Sequence, residues 1–203
     1  LFTSLAFLWS FAASSIVTVS ISMFIANVGA SHLPSVYIWN ACFQFLLALI
    51  QIYLMRHFSL SFLFQGQLAL GGFAFLTCSF LFLEREHGHA SDFLWFVVAT
   101  FSTMFLIVIK NGFWNFIDQF HTLNQAKRFY SLPNAAIILG LALGGGLFIQ
   151  YGFSILQVKG VFFVSTLLIL CAFLLSIFIQ SKIDVLRDDN LEQQPGIDKV
   201  SVK

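Results

Sequence analysis

The chain of 203 residues is 59% hydrophobic and 9% charged, with a formal net charge of +1, far from the roughly even split of a soluble domain. Its 27 Phe residues are more bulk than a water-soluble fold of this size can hide without large exposed patches, so lipid has to replace water around most of it. The basic residues are scattered, which leaves no electrostatic footprint for nucleic acid, and Cys42, Cys78 and Cys171 stand far apart in apolar runs, as reduced core thiols do.

A helix needs about 20 apolar residues to cross the hydrocarbon, and only helices or closed barrels satisfy their backbone groups there. Six segments qualify: Leu1 to Asn27, Leu33 to Met55, Leu60 to Leu83, Phe93 to Phe116, Asn134 to Tyr151 and Val158 to Gln180. The runs are continuous rather than alternating, which excludes a β-barrel. The expected fold is all-α, a polytopic six-transmembrane-helix bundle over residues 1–180. Ser181 to Lys203 is polar, with Pro195 and Gly196 in its middle, and is expected as a cytoplasmic tail or interdomain linker. The first run opens without a Met, so an upstream segment is expected; it is also too long for a secretory signal.

Alternating the loops puts Arg56, Lys110, Lys127, Arg128, Lys182, Arg187, Lys199 and Lys203 on one side and Arg85 and Lys159 on the other. The positive-inside rule makes the first side cytoplasmic, so both ends of the bundle are expected in the cytoplasm, in a bacterial inner membrane.

Polar residues at helical spacing mark faces that avoid the acyl chains. On the first span these are Ser4, Ser15, Thr18 and Ser22; on the second, Tyr37, Asn40, Gln44 and Gln51; the third offers Gln65, Gln67 and the Gly71, Gly72 pair. Hydroxyls and amides serve two readings, glue between helices or the lining of a wet cavity. Ser15, Thr18, Ser22, Asn40, Gln44 and Gln51 are the candidate cavity lining. The fourth span carries Asn111, Asn115 and Asp118 on one face and Thr103, Lys110 and Trp114 on the next. Lys110 is the sharpest single residue, since a lysine at a span's centre costs about 3 kcal/mol. It either snorkels to the headgroups or binds an anion or Asp118. In the fifth span Gly140 and Gly144 have small-xxx-small spacing and are expected to pack against another helix.

Catalytic sets fail one by one. His87 and His89 lack Cys or acidic partners at zinc spacing, no phosphate cradle is present, and no Ser/His pair falls in a span. No enzyme activity, cofactor or metal site is expected.

Between the fourth and fifth spans, Asn111-Gly-Phe-Trp-Asn115 leads to Thr122-Leu-Asn-Gln125, which has the form of a capping box. A short cytoplasmic helix should start there and carry Ala126, Lys127, Arg128, Phe129 and Tyr130 to Pro133. The order of FW, a polar turn, AKRFY and a small-residue helix ending GGGL resembles the ATP/ADP translocases of intracellular bacteria and plastids, which are major facilitator-like. Gly29, Ala30, Leu33 and Pro34 are similar to the corresponding loop of that family. The resemblance covers the N-terminal half of such a transporter. It implies a second six-helix bundle, in the same chain or another, alternating access around a central cavity, and a small-molecule substrate, in the family a nucleotide. It also implies a cytoplasmic gate, for which Asp118, Lys127 and Arg128 are the candidates. Where the family's first span carries charged residues, this one reads Ser14-Ser-Ile-Val-Thr-Val-Ser-Ile-Ser22. The rival class is a non-transporting membrane scaffold that keeps the bundle.

Overall fold

The computed structural model describes residues 1–84, 92–120 and 129–192. Six helices in it are long and apolar enough to cross a membrane. The helical elements are α1 (Phe2–Asn27), α2 (Leu33–Met55), α3 (Leu60–Glu84), α4 (Asp92–Asp118), α5 (Ser131–Ala142) and α6 (Ile149–Glu192); the fifth span, Ser131–Gly152, takes in α5 and the start of α6, and the sixth, Ser154–Ile183, lies within α6. A π-helical segment, Leu143–Phe148, joins α5 to α6. Near the start of the sixth span the backbone of α6 leaves the helical region at Gln157. The 26 residues of α1 rise about 39 Å at 1.5 Å each, enough for a hydrocarbon layer of about 30 Å.

Local chemistry explains the ends. Gly29, at φ 104°, turns the chain after α1, a conformation glycine takes without steric penalty. Pro34 then sits in the first turn of α2, where its missing N–H is not needed. Ser59 Oγ accepts the Phe62 amide at the start of α3. The last helix differs from the sequence expectation: it continues beyond Gln180 to Glu192, because a helix already nucleated in the membrane propagates into polar sequence at little cost.

The core is built around α1. Trp9, Phe64, Phe113 and Phe116 are fully buried, with Trp9 against Phe113 at 5.6 Å and Phe64 against Phe116 at 5.0 Å between ring centres. Small residues admit this bulk: a Cβ on Gly71 would overlap the Phe105 ring, and one on Gly112 would overlap the Gln67 carboxamide. A smaller cluster of Phe24, Val36, Trp95 and Ala99 closes the end where α1, α2 and α4 meet.

Helix α1 packs on α4, α5 and α6; α3 packs on α4 and α6; α2 packs chiefly on α4. Exchanging α1, α2 and α3 for α4, α5 and α6 leaves this pattern unchanged. The pairs α1–α4 and α3–α6 map onto themselves, α1–α5 onto α2–α4, and α1–α6 onto α3–α4; only the slight α2–α3 contact stands outside it.

Candidate functional site

Most polar side chains of the spans are used between helices. On α2, Asn40 and Gln44 are one turn apart and share a face. Gln44 Nε2 donates to Asn40 Oδ1 at 2.8 Å, and Asn40 Nδ2 donates to Thr103 Oγ1 of α4 at 2.9 Å. Thr103 Oγ1 in turn donates to the carbonyls of Ala99 or Thr100, at 3.0 and 2.9 Å. Asn40 is 6% exposed while Gln44 is half-buried, so the chain of bonds runs from the α2–α4 contact to an accessible amide. Gln51 lies two turns further on, in the wall of an apolar cavity between α2, α3 and α4.

Lys110 is exposed on α4. It is seven residues from Thr103, hence on the same helix face about 10 Å along. No ion pair to it forms among the described residues. This stripe can bind a neutral polar group through Gln44 and an anion through Lys110.

The hydroxyl residues of α1 lie elsewhere. Ser15 is fully buried and donates to Phe11 O at 2.9 Å or across to Gly144 O at 3.1 Å. Ser14 Oγ donates to Leu141 O at 2.8 Å. Thr18 is half-buried over Gly145, whose absent Cβ would stand 2.9 Å from its hydroxyl, and Ser22 is exposed near the helix end. Ser15 and Thr18 are thus brought to α5, while Asn40 and Gln44 are brought to α4; the six candidate lining residues do not form one cluster.

Gly140 and Gly144 are where α5 touches α1. A Cβ on Gly140 would overlap Ser10 Oγ, and one on Gly144 would overlap the Phe11 carbonyl. Sequence reading found the glycines but not their partner, although Ser10 and Ser14 on α1 repeat the same four-residue spacing.

At the end of α4, Asp118 Oδ1 accepts the Tyr130 hydroxyl proton from the start of α5. The Tyr130 ring also packs on Trp114, 5.2 Å between centres. Burial there, with the hydrogen bond and negative charge of Asp118, pushes the phenol up to about 12. Tyr130 was not among the sequence candidates. Lys127, Arg128 and the expected capping box at Thr122 lie outside the described residues.

Compared with known protein families, with curated proteins and with solved structures, the chain matches none.

Proposed function

We propose that this chain forms the N-terminal six-helix half of a secondary membrane transporter of the major facilitator kind, working with a second six-helix bundle in the same chain or another. The observation that carries the reading is the exchange pattern of helix contacts: two sets of three helices, inverted and related by a pseudo-twofold axis, are the building plan of such transporters. The half-buried Gln44 amide and the exposed Lys110 supply an uncharged hydrogen-bonding group and one cation for a substrate. The resemblance to ATP/ADP exchangers makes nucleotides the first substrates to test. A stripe with a single cation fits a solute of low charge better than one bearing several phosphates. The reading includes a bacterial inner membrane with both termini cytoplasmic, Lys127 and Arg128 acting with Asp118 at the cytoplasmic gate.

One observation favours the rival, a scaffold of the same fold: Ser14, Ser15, Asn40 and Thr103 already have hydrogen-bond partners inside the bundle. Counterflow uptake into proteoliposomes, with labelled nucleotides, amino acids and sugars, decides between them. Saturable uptake of one class, reduced by Gln44→Leu or Lys110→Ala, supports transport. A folded bundle that moves none of them, alone or with a second bundle, supports the scaffold.

A further inference from the structure

Beyond Gln44, α2 leaves its neighbours: its only buried residues are Val36 and Asn40, near its start. The gap is a trough. Two cavities, of about 390 and 420 Å³, lie one after the other along α4 and both border Phe101 and Met104. Their walls extend from Phe93 to Val108 on α4, a rise of about 22 Å at 1.5 Å per residue. That is roughly two-thirds of a hydrocarbon layer about 30 Å thick.

The chemistry of the walls and of the mouth chooses the occupant. The walls are almost wholly aliphatic and aromatic, so a water-soluble ligand gains nothing there. Of the polar groups in them, the Gln67 carboxamide oxygen rests against Gly112 rather than the open space.

Charge sits at one mouth. Spans two and three end and begin at Leu54 and Leu60, which puts Arg56 and His57 at headgroup depth. Both are exposed, and Phe58, next in sequence, lines the trough. We propose that this trough holds one acyl chain of an anionic phospholipid whose phosphate is met by Arg56.

Native mass spectrometry of the full chain, purified in mild detergent and offered phosphatidylglycerol or phosphatidylcholine, tests it. Phosphatidylglycerol should stay bound at one per protein and be retained roughly fivefold better than phosphatidylcholine, the preference one basic residue gives near a charged headgroup. Arg56→Gln, in a loop, should erase that preference. Gly66 lines the trough and has open space where its Cβ would be. Gly66→Phe should therefore fill the trough and cut retention of either lipid roughly tenfold or more, through loss of methylene burial. Equal retention of both lipids, indifferent to both substitutions, would mean an annular lipid and overturn the proposal. So would release of the adduct by glycerol phosphate, which would mean a phosphate site alone, or a dimer mass abolished by Gly66→Phe, which would mean a second copy.

Discussion

Helix α5 lies on α1 as α2 lies on α4, in places that exchange when α1, α2 and α3 are swapped for α4, α5 and α6, yet the two contacts are built differently. Between α1 and α5 small residues face small residues, the backbones touch, and serine hydroxyls of one helix reach carbonyls of the other. Between α2 and α4 the facing residues beyond Asn40 are large, the link is an amide chain, and the trough opens. Burial follows: 28% of the apolar stretch of span five is inside the bundle, against 11% for span two. Lipid tails are as apolar as the side chains, so apolar burial does not draw membrane helices together, and contact size decides how close they come.

The largest test of this contrast is to add bulk on the tight side. Gly144→Leu drives a side chain into the Phe11 carbonyl and should destabilise by about 3 kcal/mol or more, since backbone rather than a rotamer has to give way. Gly66→Ala, with nothing near its Cβ position, should change stability by less than about 1 kcal/mol and in the favourable direction. Reversible unfolding in dodecyl sulfate, followed by circular dichroism, measures both. Equal effects would mean that α1 and α5 are not in backbone contact.

A second test uses the kink in α6 and the turn after α2. Gln157, near the start of the sixth span, has φ 55° and ψ −174°, a region that only glycine enters freely. Among the described residues it alone combines a side chain with positive φ, so the turn after α2 carries no such strain. Gln157→Gly should stabilise by about 1 to 3 kcal/mol in the same assay; a neutral result would remove the strain from the comparison.

The hydrogen bonds rank next. Asn40→Ala removes the bonds to Gln44 and Thr103 at once and should cost towards the upper end of the range for interhelical bonds, about 0.6 to 1.7 kcal/mol. Ser15→Ala should cost about 0.6 kcal/mol, because the glycine contact beside it remains. The reverse order would show that the α1–α5 seam depends on its hydroxyls rather than on the size of its residues.

Six spans were legible in the sequence because apolar run length is a local property that lipid turns directly into helix. Gly140 and Gly144 were legible as packing residues for the same reason. What faces them was not: Ser15 and Asn40 both read as stripe residues, but periodicity gives only a residue's azimuth on its own helix, not which neighbour stands there. The π-helical turn at Leu143–Phe148 was hidden because three glycines in a row are compatible with α, π or coil. The helix past Gln180 was missed because composition marks where apolar character ends, and a helix need not end there.

The last effect, a loss of stability seen only at high pH, concerns the connection that brings α5 into place. After α1 the chain turns at Gly29, whereas after α4 the ends are tied by Tyr130 and Asp118. An ordinary tyrosine titrates near 10, and this one is pushed up to about 12. A folded-state value above the unfolded one means that the neutral phenol is preferred in the fold. The stabilisation is therefore complete below about pH 10 and is lost as pH rises towards about 12. Tyr130→Phe should behave like the parent near neutral pH apart from the lost bond, and should lack the decline above about pH 10. In the parent, phenolate absorbance should show one late tyrosine that disappears in Tyr130→Phe and moves down towards 10 in Asp118→Asn. A tyrosine spectrum unaltered by Asp118→Asn would mean that Asp118 does not hold the Tyr130 proton.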